Sequence, residues 1–257
     1  MCHYRRMNIW LKKILDLIMP SSCVGCKERG FFVCKACLGT IDFLKVQQCP
    51  GCRNDNFYGE FCRGTEGAEE RCRRKLFKDG CYFDQLIVCA RYDKEGVLKR
   101  LIEQFKYKFS GELAGLLSGM MVVKMKKLYT KFDQEFEDAW IIAVPLHKKR
   151  LKYRGFNQSE YLACGLAEYL GIYIYRPLVR KIFTTPQAHL KRAERLTNLK
   201  GAFAAFDGCG EYLRGRKIIL VDDICTTGST LNECAKVLKE AGAGKITAVV
   251  LARGSGR

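Results

Sequence analysis

Asp222 and Asp223 stand side by side, and Thr226-Thr227-Gly228-Ser229-Thr230 follows two residues later. Small hydroxylated residues around a glycine let a backbone approach a phosphate closely and supply extra donors. Paired carboxylates would repel that phosphate, unless they grip the hydroxyls of an attached sugar or a hydrated Mg²⁺. A phosphorylated ribose satisfies both halves. The surrounding elements place these groups suitably. Ile218–Val221 is a short apolar run, as expected of a strand buried on both faces, and the carboxylates fall where it should end. Leu231, Ala235, Leu238 and Ala241 recur at helical spacing up to Gly242. The segment therefore reads strand, acidic pair, loop, helix, with the unpaired N–H groups of a helix start facing the anion. A strand–turn–helix with ordinary capping residues is the plain alternative.

A second strand-like run, Trp140 to Val144, ends in Pro145-Leu146-His147-Lys148-Lys149-Arg150, with Arg154 nearby. Two strand ends of opposite charge on one parallel sheet could hold the two ends of one phosphorylated ligand. Taken alone, the basic run reads as a solvated loop. Helical spacing is also expected over Val97–Phe105, Glu112–Tyr129 and from Asn157 to Leu170, and strands over Gln85–Tyr92, Ile172–Tyr175 and Lys245–Leu251. Met120, Met121 and Met125 read as core filler. Strands alternating with helices argue for an α/β parallel sheet. The weakly periodic, basic stretch from Arg176 to Asn198 reads as a mobile loop or a lid over an anionic site.

The cysteines carry a separate chemistry. Cys23-x-x-Cys26, Cys34-x-x-Cys37 and Cys49-Pro50-Gly51-Cys52 are followed by single Cys62 and Cys72. Each Cys-x-x-Cys turn points two thiolates at one tetrahedral ion, which makes structural zinc the expected occupant. Neighbouring pairs (Cys23, Cys26, Cys34, Cys37) or an interleaved set (Cys23, Cys26, Cys49, Cys52) both satisfy four-coordination. So short a ribbon depends on its metal to fold, and chelation is expected to unfold residues 21–62 while the sheet survives. Arg63 to Lys78 reads as a solvated linker.

The chain has fifteen cysteines and a formal net charge of +18. The charge points to polyanionic partners. Ile9 to Met19 is apolar but interrupted by Lys12, Lys13 and Asp16, which fits an amphipathic helix better than a signal peptide. With no stretch long enough to span a membrane, the cysteines read as thiols and metal ligands of a cytoplasmic protein.

Val221 to Thr230 resembles the phosphoribosyl pyrophosphate (PRPP) motif of the type I phosphoribosyltransferases. With the cysteine ribbon, Leu101 to Lys106, Pro145 to Gln158, Thr184 to Asn198 and Gly201-Ala202-Phe203, the chain resembles the ComF family, associated with competence and DNA uptake in bacteria. That resemblance implies three units: an N-terminal helix over 1–20, a zinc-ribbon module and linker over 21–80, and a phosphoribosyltransferase-like domain over 81–257. It implies that Asp222 and Asp223 bind the ribose hydroxyls and that Cys225, Thr226, Thr227, Gly228, Ser229 and Thr230 wrap the 5′-phosphate. Pro145, Leu146, His147, Lys148, Lys149, Arg150 and Arg154 would grip pyrophosphate with Mg²⁺. Arg180, Gln187, Arg192, Arg195 and Asn198 would belong to a flexible lid. The family often has a fourth Cys-x-x-Cys, but here Thr65 stands at the partner spacing from Cys62. A second zinc site would need Cys72 or Cys81. Two functions follow: phosphoribosyl transfer to an acceptor the sequence does not identify, or a PRPP-sensing module that binds single-stranded DNA or uptake proteins. A redox role for Cys225 beside the phosphate loop is a third reading.

Overall fold

Runs such as Ile218–Val221 and Ala248–Ala252 carry apolar side chains on both faces, which only a sheet covered on both sides can bury. The computed structural model describes residues 21–107, 111–129, 132–183 and 199–254. The stretch 1–20 and most of the lid, with Gln187, Arg192, Arg195 and Asn198, lie outside the described residues.

The cysteine-rich segment forms α1 (Lys35–Gly39), β1 (Gln47–Gln48), β2 (Asp55–Asn56) and α2 (Ala68–Leu76). Next come β3 (Gln85–Arg91), α3 (Val97–Tyr107), α4 (Gly111–Leu128), α5 (Phe132–Phe136) and β4 (Trp140–Ala143). The chain continues through α6 (Lys148–Arg154), α7 (Gln158–Leu170), β5 (Tyr173–Ile174), β6 (Leu178–Arg180) and β7 (Phe203–Ala205). It closes with α8 (Gly210–Leu213), β8 (Ile218–Cys225), α9 (Ser229–Glu240) and β9 (Ile246–Arg253).

Five strands form one parallel sheet in the order β3-β9-β8-β4-β5. Side chains alternate across it. Ile141, Ile219, Val221 and Val249 face α3, α4 and α7, where Leu101, Phe105, Met121, Met125, Leu162 and Leu166 fill the layer. Ile142, Leu220, Ala248 and Val250 face α9, which contributes Leu231, Cys234, Ala235 and Leu238. The fold is thus α/β with a cysteine-rich module at its start, as the sequence predicts.

That module covers the edge strand β3, which would otherwise expose unpaired backbone groups. Leu44 N–H donates to Cys89 O (3.0 Å), Arg91 N–H to Asp42 O (3.0 Å) and Leu86 N–H to Gly59 O (3.0 Å). Gln47, fully buried, acts as a surrogate strand: its Oε1 accepts from Val88 N–H (2.7 Å) and its Nε2 donates to Val88 O (3.1 Å). Val24 and Ile41 enter the core layer of α3 and α4, while Phe61 and Cys72 enter the opposite one.

Four local expectations are revised. The Arg63–Lys78 linker contains α2, whose Cys72 and Leu76 are buried. The basic run after β4 is folded as α6, because His147 caps it and Gly155, at φ 81°, ends it. Within Arg176–Asn198, Leu178–Arg180 pairs antiparallel with Phe203–Ala205. Strand β8 does not stop at the acidic pair but continues to Cys225, because β9 goes on pairing with it up to Arg253.

Candidate ligand site and metal centres

From β4 the chain crosses one face of the sheet as α7 and moves outward to β5. From β8 it crosses the other face as α9 and moves to β9. Beyond the carboxyl ends of two such divergent strands lies a crevice, the usual ligand position of an open α/β sheet. Val144 N–H donates to Val221 O (3.0 Å) and holds the two ends side by side.

At the β8 end, Asp222 Oδ1 accepts from Ser159 Oγ (2.7 Å) and from Asp223 N–H (2.9 Å). Asp223 Oδ1 accepts from Ile224 N–H (2.8 Å), and its Oδ2 meets Lys106 Nζ at 2.6 Å. Desolvation, and then the charge of Asp223, push Asp222 up to about 7, against the pull of Ser159, the Asp223 amide and Lys106. Desolvation opposes the charge on Lys106, but Asp223 outweighs it and the ammonium is held above its ordinary range. In the loop, Thr227 Oγ1 and Ser229 Oγ, both buried, lie 2.7 Å apart. Gly228 sits at φ 83°, a conformation that costs an ordinary L-residue about 1–2 kcal/mol. Asn232 N–H donates to Gly228 O (2.8 Å), so α9 begins at the loop.

At the β4 end, His147 Nδ1 accepts from Lys149 N–H (3.2 Å) and Asn157 Nδ2 donates to Val144 O (3.0 Å). His147 and Lys149 lie 5.1 and 5.3 Å from the Phe183 ring, with the Arg150 guanidinium at 5.9 Å. Arg154 stands 5.9 Å over Tyr107. Desolvation and then Arg154 lower Arg150; desolvation and then Arg150 lower Arg180. Cations from α6 and β6 thus crowd one another, an arrangement that an entering anion relieves.

The fold places Asp222, Asp223 and Thr226 to Thr230 at the β8 end and Pro145 to Arg150 with Arg154 at the adjoining β4 end, and Arg180 lies near enough to feel the charge of Arg150. Cys225 is buried and its thiol is raised by desolvation, the opposite of what a redox role beside the loop would need. Lys106 and Ser159 were not among the expected site residues. Lys106 follows Phe105 at the end of an amphipathic helix, and Ser159 lies in the first turn of another. Neither position has a spacing that points to the acidic pair.

The sulfurs of Cys23, Cys26, Cys34 and Cys37 all lie within 4.8 Å of one another, as do those of Cys49, Cys52, Cys62 and Cys72. Neighbouring pairs therefore share the first site, not the interleaved set. Cys72, carried by α2, completes the second around Cys62, while Cys81 stands outside it. Two thiolates on a zinc tetrahedron lie about 3.8 Å apart. Cys26 and Cys34 are 3.6 Å apart, and Cys52 and Cys62 3.4 Å. Each set can hold a metal such as zinc.

One local structure opens both sites. Lys27 N–H donates to Cys23 O (2.9 Å) and Arg53 N–H to Cys49 O (3.1 Å), and both residues are left-handed, at φ 68° and 69°. A Cβ on Gly25 would meet Cys37 Sγ at 2.4 Å, and one on Gly51 would meet Cys72 O at 2.1 Å. Burial disfavours the charged form of Cys23, yet amide N–H groups of Cys26, Cys34 and Gly25 bring its thiol down to about 6. The amides of Cys52 and Gly51 likewise overcome burial at Cys49, which falls to about 7. One thiol of each set is thus prepared as a thiolate, while a hydrogen bond with Cys23 pushes Cys37 up to about 12 and one with Cys52 pushes Cys62 up; a divalent ion requires all four deprotonated.

A family model described as phosphoribosyl transferase domain matches residues 166–257, which run from within α7 through β8, α9 and β9. The chain is 30% identical over 228 residues to competence protein F of Haemophilus influenzae, spanning 86% of this chain and 97% of that protein. It is 32% identical over 244 residues to DNA utilization protein YhgH of Salmonella typhimurium, with 92% and 99% spanned. It is 28% identical over 213 residues to competence protein ComFC of Bacillus subtilis, with 82% and 79% spanned. Matches of this length, on a parallel sheet with a cysteine-rich start, mean that the chain belongs to the ComF family, as a competence-associated protein with a phosphoribosyltransferase-like domain.

Proposed function

We propose that the chain binds PRPP with Mg²⁺ in the crevice between β4 and β8, holds zinc in both cysteine sites, and transfers the phosphoribosyl group to an acceptor with loss of pyrophosphate. The observation that carries this reading is the juxtaposition of the two strand ends, joined by Val144 N–H to Val221 O (3.0 Å). One presents carboxylates and a hydroxyl-rich helix start; the other presents His147, Lys148, Lys149 and Arg150.

In this reading Asp222 and Asp223 accept hydrogen bonds from the ribose 2′- and 3′-hydroxyls. Thr226 to Thr230 and the first N–H groups of α9 hold the 5′-phosphate. The basic residues of α6, with Arg180, stabilise the departing pyrophosphate. Carboxylate and hydroxyl oxygens are hard donors of the kind Mg²⁺ takes, and when bound the ion would neutralise the pyrophosphate oxygens. Lys106 keeps the acidic pair from repelling an anionic ligand. As the bond at the anomeric carbon breaks, positive charge develops on the ribose, and carboxylates fixed on its hydroxyls favour that state. No protein nucleophile is needed; positioning and electrostatics suffice.

Calorimetry of PRPP with Mg²⁺ tests the assignment. Asp222→Asn combined with Asp223→Asn should abolish binding and leave the zinc content of the purified protein unchanged. Retained affinity in that double variant would overturn it.

A second reading, a PRPP-responsive module that handles single-stranded DNA without turnover, draws on exposed rings beside cations. Tyr107 is 72% exposed under Arg154, and Phe183 is 48% exposed beside Lys149. Rings and basic groups so arranged suit base stacking. Pyrophosphate release across a panel of bases separates the two: release favours the transferase, while binding without release, together with salt-sensitive DNA affinity, favours the module.

A further inference from the structure

The second cysteine site lies against the phosphate loop. Its opening turn, Cys49 to Arg53, grips the carboxyl end of β9: Arg253 Nη2 donates to Pro50 O (2.5 Å), and Arg53 Nη2 donates to Gly254 O (3.4 Å). That strand end is paired with the base of the loop. Arg253 stands in register with Cys225, and Gly254 N–H donates to Cys225 O (2.9 Å). Gly254 packs on Thr226, since a Cβ there would lie 3.5 Å from Thr226 Cγ2. A second route leads from α2, which carries Cys72, to Phe77, whose ring lies 3.5 Å from the position of a Cβ on Gly228.

Arg253 is buried, and its Nε has no acceptor among the described residues. A buried guanidinium is costly unless opposite charge stands near it. Four thiolates around a divalent ion leave the site with two net negative charges. Desolvation brings Arg253 down to about 10, with Arg53 acting in the same sense, while Cys225, Cys49 and Cys81 act the other way.

We propose that Arg253 is a positioning residue that couples the second metal site to the phosphate loop, so that phosphoribosyl-ligand affinity depends on occupancy of that site far more than of the first. The coupling rests on the PRPP reading above only for its ligand; the link between metal site and loop does not. The first site has no such contact among the described residues. It packs on Val97 at the start of α3, with Gly25 against that side chain.

The test uses zinc-loaded full-length protein with three readouts: zinc per chain, PRPP affinity with Mg²⁺, and amide hydrogen exchange of residues 226–230. Arg253→Met should keep both zinc ions, weaken PRPP by about tenfold, the scale of one lost charge-assisted hydrogen bond, and speed exchange in the loop. Arg253→Lys should recover part of both effects. Cys62→Ser should lose one zinc ion and weaken PRPP by about tenfold more than Cys26→Ser, which also loses one. Should Arg253→Met keep wild-type exchange in the loop, or Cys26→Ser and Cys62→Ser disturb the loop equally, the coupling is refuted. Wild-type protein that does not bind PRPP would overturn the ligand assignment alone, because the exchange comparison would still decide the coupling.

Discussion

At the scale of single residues, the acidic pair sets function against stability. Asp222 titrates near 7 in the fold, whereas an unperturbed aspartate titrates near 4. Between those values the folded state holds a proton that the unfolded state has lost, so stability falls as pH rises through this window and stays low above it. Asn at this position can still accept from Ser159 and from the Asp223 amide, but carries no buried charge. Asp222→Asn is therefore expected to raise Tm at pH 8, with the gain shrinking as pH falls from 7 toward 4. Thermal melts of the two proteins across that range check it; an equal difference at every pH would contradict the assignment. The placing of the pair between a strand and a hydroxyl-rich helix start was legible in the sequence, because an apolar run precedes it and helical spacing follows the loop. Lys106 and Ser159 were not legible. Both reach the pair from helices far away in sequence, and only the packing of α3 and α7 on one sheet face brings them there.

At the scale of elements, the two cysteine turns show how local chemistry repeats while its completion differs. In the first site the third and fourth thiols, Cys34 and Cys37, come from a Cys-x-x-Cys at the start of α1. In the second, Cys62 comes from an irregular segment and Cys72 from α2, ten residues further on. Spacing rules leave two pairings open for the first site, which the fold resolves to the neighbouring pairs, and they leave the second in doubt, since a thiol on a separate helix carries no spacing signature. The glycine of each turn is a sharper signal. Gly51 lies so close to the Cys72 carbonyl that a methyl group would meet it at 2.1 Å. Gly51→Ala must push α2 away from the turn, at a cost of about 1–3 kcal/mol if it behaves as ordinary overpacking. The expected result is one zinc ion per chain instead of two, by metal analysis after dialysis. Two retained ions would mean that α2 adapts. The parallel sheet was legible for a different reason: strands buried on both faces read as unbroken apolar runs. The β6–β7 pair was missed because three-residue strands within a basic stretch give no period to read.

At the scale of the whole molecule, the cysteine module and the sheet differ in sequence character but not in packing. The composition changes near residue 80, which suggests a metal-dependent ribbon that unfolds alone. Yet residues 41–60 supply the hydrogen bonds that cover β3, and Val24 and Ile41 on one side, with Phe61 and Cys72 on the other, belong to the same apolar layers as the sheet. A module that lines both layers cannot leave without exposing them, and each large apolar side chain so exposed costs about 1.5–3 kcal/mol. We therefore propose that the boundary near residue 80 does not separate two cooperative units. Removing zinc with a chelator is then expected to lower the midpoint of a single thermal transition, with amides of the module and of β9 losing exchange protection together. A module that opens first, while β8 and β9 keep full protection, would instead establish the independent ribbon. That outcome would also weaken the link from the second metal site to the phosphate loop, because Arg253 could not transmit the loss of a turn from which it had already separated.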